Sequence, residues 1–490
     1  MTLLCAVVGC LFALVFASIH LAGGVLVYSL DDPYIHLALA RTIQEGSYGI
    51  NVGEWASPSS SIVWPFLMAL WPRQWLELAP LMFNVVCCLL SVQVLREVFK
   101  GPLVPQRYQW LAALIVAFGL NLFGLVMTGM EHSLQVLLVL FVAWRFTVKR
   151  FDALFYAAMV LMPLVRYECL VISGAVAGYL LFTSGKYKPV LAVLASVAGI
   201  GAFSYFLHSK GLPWLPSSVL AKSADRSVLA NLLLNPGLYL VMWWLYQAYK
   251  TRRVAYWMLF VLPLTAFLLF GRSGWFGRYE AFMAAWLMVF SVHAAQSTTL
   301  PVALRRDWFR RAPKLWTGAF VVGLPLLLPA LWMCTLLTPM ASRHTERQQA
   351  VMAEVARELK QPVAVNDLGL VALRSGQYVL DLWGLGSPEA LQMRLSKTNA
   401  PEVWMQEVTQ RKNVHYAFIY EKWFPKHPPN WVKVGELVLT GDTMSLPGYE
   451  RVALFATTSD AVPALRQVLL HMAAQPQTAQ LISISAPPLL

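Results

Sequence analysis

The sequence is poor in charge, and poorest in acidic charge. Of its 490 residues, 38 are Lys or Arg and only 25 are Asp or Glu. Charged residues make up 13% of the chain, about half the share of a soluble domain. Hydrophobic residues make up 58%. This balance excludes an ordinary soluble globular chain and points to a polytopic membrane protein. Cysteine is also scarce. Cys5, Cys10, Cys87, Cys88, Cys169 and Cys334 all fall in or beside apolar runs. They offer neither a disulfide framework nor zinc-ligand spacing in the polar part of the chain. No internal repeat is visible, which argues against a transporter built from inverted repeats. A net charge of +13 would suggest nucleic acid in a soluble chain. No nucleic-acid motif accompanies it, and basic loops beside anionic headgroups account for it.

What is present is a series of long apolar runs. They cover Thr2–Leu30, Leu78–Val98, Leu111–Val126, Leu134–Val148, Ala153–Leu164, Leu170–Phe182, Val190–Leu207, Leu232–Leu245, Val254–Phe270, Ala281–Ala295 and Trp316–Leu337. The expectation is about eleven transmembrane helices across a bilayer core of about 30 Å. The first run has no basic n-region and no small-residue cleavage site, so it reads as a retained helix. Ile62–Trp71 is too short to cross and reads as interfacial or re-entrant.

Basic clusters at Arg96–Arg107, Arg145–Arg150, Lys186–Lys188, Lys250–Arg253 and Arg305–Lys314 fall between alternate runs. By the positive-inside rule that side is cytoplasmic. The opposite, extracytoplasmic face then receives Asp31–Asp32, Glu131–His132, Arg166–Glu168, Lys222, Arg272, Arg278–Tyr279 and everything after Thr338. The expected location is a plasma membrane, with this face on the outside.

After Leu337 the composition turns polar. Strand-like runs at Pro362–Leu373, Tyr378–Leu382, Val414–Tyr420, Val432–Leu439 and Arg451–Phe455 alternate with helical pieces around Pro388–Leu395 and Glu402–Arg411. This predicts a small α/β domain over 339–473, after a transmembrane domain over 1–338 whose first outer loop is 31–77. The Gln- and Pro-rich tail, 474–490, is expected to be poorly ordered.

The outer face thus gathers carboxylates with guanidinium and ammonium groups. A carboxylate can take the proton of an attacking hydroxyl. Arg and Lys bind phosphate, Arg with a bidentate fork. A base beside a phosphate clamp suits transfer of a group from a lipid-linked phosphate, because the departing phosphate gains charge.

The order of first helix, acidic pair, many spans and outer C-terminal domain resembles the GT-C superfamily of polyprenyl-phosphate-sugar glycosyltransferases. DDPYIHLALARTIQEGSYGINVGEWASPSSS is similar to the opening of the branch that contains the mycobacterial terminal arabinofuranosyltransferase. TGMEHSLQVLL, PWLPSSVLAK and VNDLGLVALRSGQYVLDLWGL are similar to later segments of that branch. VRYECL carries Tyr167 where relatives have the proline of an Arg-Pro-Glu pattern.

The resemblance implies that Asp31 is the general base and that Asp32 orients the acceptor or binds a divalent metal. On the residues alone, Asp32 equally reads as the N-cap of the helix that follows, with Pro33 in its first turn. His36, one turn on, is the other candidate metal ligand, or an interfacial histidine. Glu131, His132, Arg166, Glu168, Lys222, Arg278 and Tyr279 are the candidate substrate-binding residues. Asn366–Asp367 and Asp381–Leu382 sit at strand ends, where turn and cap chemistry is the plainer reading. The implied donor is a polyprenyl-phosphate sugar, of arabinofuranosyl type. The implied acceptor is a hydroxyl of a cell-envelope glycan or of a surface protein such as a pilin. The competing class is a non-enzymatic transporter or flippase of lipid-linked sugar, which would place charges at mid-bilayer and on both faces.

Overall fold

A computed structural model describes residues 2–101, 104–224, 254–272, 274–297, 332–396, 400–439 and 450–485. The runs expected at Leu232–Leu245 and over most of Trp316–Leu337 lie outside the described residues, as do the basic clusters Lys250–Arg253 and Arg305–Lys314. The chain is mostly helical, with a small C-terminal sheet. It divides into two compact units. The helical unit holds residues 1–16, 81–199 and the described part of 227–338. The second holds 17–80, 200–226 and 339 onward. The segment 31–77, expected to belong with the spans, is therefore grouped with the C-terminal residues.

Among the described residues, three helices are long and apolar enough to cross a membrane: Ala79–Val98, Tyr167–Ser184 and Lys188–Ser209. Shorter apolar helices cover Cys5–Leu21, His132–Thr147, Ala153–Val165, Trp257–Phe270 and Ala281–His293. The run expected at Leu111–Val126 breaks into Gln109–Gly119 and Leu122–Met127. Asn121 between them takes a left-handed φ of 53°, a conformation Asn tolerates better than most residues. Pro163 lies inside the helix Ala153–Val165 and cannot donate to Met159 O. The Ser173 hydroxyl donates to that carbonyl at 3.1 Å. A side chain of the next helix thus replaces the missing backbone bond.

In the first apolar run the helix stops at Leu21, not Leu30. Gly23 and Gly24 follow with φ of 75° and 89°, backbone that glycine adopts freely and that ends a helix. Asp31 then occupies the N-cap position of the helix Asp32–Gln44, with Pro33 in the first turn. Asp32 is the first helical residue rather than the cap.

The C-terminal sheet has six strands in the order β2-β1-β3-β5-β4-β6. These are β1 Val363–Val365, β2 Val379–Asp381, β3 Tyr416–Ile419, β4 Val432–Val438, β5 Arg451–Ala456 and β6 Ile482–Ile484. β1 runs parallel to both β2 and β3, while β5, β4 and β6 extend the sheet antiparallel. The first three strands are buried at every residue, as expected where helices cover a parallel sheet. Ala364, Leu380, Ala417, Ile419 and Phe455 form a core with Trp404, Met405 and Val408 of the helix Pro401–Arg411.

Two features depart from the expected pattern. The run Pro362–Leu373 is one short strand, a turn at 366–368 and the helix Gly369–Arg374. Part of the tail expected to be poorly ordered, Ile482–Ile484, pairs with β4 as an edge strand, because its apolar residues complete the sheet.

The chain leaves β1 for β2 on one side and later returns to β3 on the other. The carboxyl end of β1 is therefore a topological switch point, where open α/β sheets characteristically bind ligands.

Candidate functional site

Asp31 reaches the turn that follows β1. Its carboxylate accepts the backbone N–H of Gly369 and, at 2.8 Å, that of Leu370. These are orphan donors at the start of the helix Gly369–Arg374. Arg41, from the same segment as Asp31, donates to the carbonyls of Leu373 at 2.8 Å and Ala372 at 3.0 Å at the other end. A negative group at the helix start and a positive one at its finish both oppose the helix dipole. The close approach requires glycine at 369. A Cβ there would lie 2.2 Å from Asp31 O and 2.7 Å from its Oδ2.

The carboxyl of Asp31 stands close enough to that of Asp367 for the two to interact. Burial pushes Asp31 well above the ordinary carboxylate range, and the charge of Asp367 adds to that. Burial raises Asp367 as well, with the charge of Asp32 contributing and its hydrogen bonds opposing. Both carboxyls are therefore held above the ordinary carboxylate range.

Asp367 is held by its own domain. Gln349 Nε2 donates to its Oδ2 at 3.1 Å, and the Tyr420 hydroxyl lies 3.3 Å from the same oxygen. Gln349 Nε2 is also 3.0 Å from that hydroxyl, which donates to Gln348 Oε1 at 2.8 Å. Asn366 Oδ1 accepts the Tyr420 N–H at 3.1 Å. Two polar atoms remain: Asn366 Nδ2 and Gln349 Oε1 are buried and find no partner among the described residues.

The loop after β2 is held by Asp381, whose carboxylate accepts the N–H of Trp383 at 2.9 Å and of Gly386 at 2.8 Å. Burial outweighs these bonds and lifts its carboxyl to about 6. Gly384, at φ 91°, lets the loop pass where a Cβ would lie 2.6 Å from Leu391. Trp383, half-buried, is 4.8 Å ring to ring from Trp423, which is 5.7 Å from Tyr420. The guanidinium of Arg394 stands 3.8 Å from the centre of the Trp383 ring.

The helical unit has a polar centre of its own. Arg166 donates to Glu131 Oε1 at 2.9 Å and to both carboxylate oxygens of Glu168, at 2.5 and 3.1 Å. Glu131 holds the N-cap position of the helix His132–Thr147, yet its side chain makes no cap bond. Tyr279 is the hub. Arg278 donates to its hydroxyl at 2.9 Å, its ring lies 5.8 Å from the Arg166 guanidinium, and the His132 ring meets it edge-on at 5.6 Å. Six sequence-predicted residues, Glu131, His132, Arg166, Glu168, Arg278 and Tyr279, are thus brought together, almost all buried.

The loop before Arg278 is strained. Trp275 and Phe276 take φ of 50° and 65°, an uncommon choice for bulky side chains that recurs at functional sites. Asn121 holds this loop by donating to Phe276 O at 2.7 Å.

Other expected residues stand apart. Lys222 falls in the helix Ser217–Ala224, with its side chain outside the described set. His36 Nδ1 is 3.1 Å from the hydroxyl of Ser59, itself tied to the Ser61 backbone. Among the described residues, no three His, Cys, Asp or Glu side chains are grouped to hold a metal ion. Asp32 and His36 alone do not make a coordination site.

Sequence reasoning passed over Tyr420 and Gln349, and gave Asp367 the plainer reading of turn chemistry. A strand followed by Asn-Asp-Leu-Gly was their signal, but any turn reads that way. The three fall within a C-terminal stretch that also matches a family model. No curated protein matches the chain, while residues 340–455 match a family model described as a domain of unknown function, DUF8728.

Proposed function

We propose that the protein is an integral-membrane glycosyltransferase of GT-C type. It passes a sugar from a polyprenyl-phosphate donor to an acceptor hydroxyl on the extracytoplasmic side, inverting the anomeric centre. The observation that carries this reading is the pair of neighbouring carboxyls Asp31 and Asp367, with Asp31 buried against the turn after β1. A carboxyl lifted toward neutral pH by burial and a like charge is the kind of group that general-base chemistry needs.

In this reading the acceptor oxygen attacks the anomeric carbon as its proton passes to Asp31. The bond from the anomeric carbon to the phosphate oxygen breaks, and the phosphate leaves with the electron pair. Arg278 and Arg166 serve the donor phosphate, Arg166 restrained by Glu131 and Glu168. Their charge stabilises the departing phosphate more than the bound donor, which is what lowers the barrier. About eleven transmembrane helices and an extracytoplasmic C-terminal domain complete the proposal.

The test is transfer from a panel of polyprenyl-phosphate sugars by the full-length protein in liposomes. Asp31→Asn is expected to lower the rate by about 100-fold or more. Full transfer by that variant removes Asp31 as the base. Movement of lipid-linked sugar between leaflets without consumption identifies a carrier instead. Mass spectrometry of envelope glycans with and without the gene names the sugar and the acceptor.

A further inference from the structure

We propose that the carboxyl ends of β1, β2 and β3 form a carbohydrate subsite, in which Trp383 and Trp423 receive the face of one sugar ring of the acceptor and the amides of Asn366 and Gln349 bind its hydroxyls.

Three observations meet here. First, topology. Asn366 directly follows β1, Trp383 lies two residues beyond β2, and Tyr420 directly follows β3. The three parallel strands thus deliver their loops to one end of the sheet, at its switch point. Second, chemistry. A sugar ring presents an apolar C–H face and a rim of hydroxyls that both donate and accept. Half-buried aromatic rings suit the face. The orphan Asn366 Nδ2 is a donor and the orphan Gln349 Oε1 an acceptor, so together they match a hydroxyl rim. A buried polar atom without a partner is costly, and native structures keep one where a ligand or water completes it.

Third, connection. Asn366 and Gln349 both bond Tyr420, Gln349 also bonds Asp367, and the Tyr420 ring lies tilted against that of Trp423. The aromatic row therefore leads to the Asp367 carboxyl beside Asp31. The Asp381 carboxylate and the Arg394 guanidinium fix Trp383 beforehand, so little order is lost on binding. The identity of this ring as part of the acceptor rests on the glycosyl-transfer reading. Its binding does not.

Hydrogen–deuterium exchange of the full chain in detergent separates the two. The probes are methyl glycosides of pentofuranoses and hexopyranoses. At least one glycoside is expected to slow exchange over 366–370, 383–387 and 420–424. Trp423→Ala and Asn366→Ala are expected to weaken that protection by about tenfold in glycoside concentration. Trp423→Phe and Asn366→Ser serve where the alanine variants do not fold. Absence of protection by every glycoside in the wild-type chain, with water alone filling the site, overturns the subsite. So does protection that all four variants retain. Donor consumption is measured in parallel. Glycoside protection without donor consumption supports the subsite and sinks the transfer reading. Donor consumption without protection does the reverse.

Discussion

At the residue scale, Asp31 does two jobs that pull in different directions. As acceptor for the Gly369 and Leu370 amides it favours the charged form, while burial and Asp367 favour the neutral one. Gly369→Ala separates the two. Its Cβ cannot sit 2.2 Å from the Asp31 carbonyl, so the segment must move. The variant is expected to lose about 1–3 kcal/mol of stability. Faster hydrogen exchange at Leu370 and at the start of the helix Asp32–Gln44 checks this, and unchanged exchange refutes it. The sequence made Asp31 conspicuous, because a carboxylate pair stands out after a long apolar run. Asp367 was visible only as a turn residue. Its neighbours Asn366 and Gly369 spell a turn, and its partner lies 336 positions away, counted from residue 31 to residue 367.

At the element scale, the loop between Phe270 and Ala281 carries two bulky residues in left-handed backbone. Trp275, one of them, is 42% exposed. Trp275→Gly should relieve about 1 kcal/mol of strain. We expect the variant to melt higher. If the strain serves to aim Arg278, it also binds donor more weakly. A lower melting temperature shows that the indole packs for stability instead. The strand-like runs were legible because short apolar stretches alternate with turn residues. The break at Asn121 and the helix end at Leu21 were less so, since a hydrophobic run does not reveal where its backbone turns left-handed. Asn121 and the pair Gly23–Gly24 are the residues that decide it.

At the scale of the whole molecule, three carboxyls of the second unit, Asp31, Asp367 and Asp381, are all raised by desolvation. In an unfolded chain Asp381 titrates near 3.8, in the folded protein at about 6. Its stabilisation is complete below the first value and lost as pH rises through the second. That difference corresponds to about 3 kcal/mol, and the other two carboxyls act in the same direction. The second unit is therefore expected to unfold at lower temperature at about pH 7 than at about pH 4, with Asp381→Asn flattening the dependence. A stability that climbs steadily with pH contradicts this. Sidedness is open to a simpler check. A cysteine at exposed Lys426 should react with a membrane-impermeant reagent from outside the cell. Reaction only from the cytoplasm overturns the orientation. The sequence made the α/β domain legible but not its partnership with 31–77, because that rests on contacts between distant ends of the chain. The bond from Gly369 to Asp31 spans 338 positions. During synthesis Asp31 leaves the ribosome first and waits on the order of tens of seconds for Gly369. Over that interval an acidic loop stands without the helix it caps. In the proposed membrane reading, insertion of the early spans thus precedes closure of the second unit, and a nascent chain halted before β1 would present that loop to whatever quality control surveys the membrane.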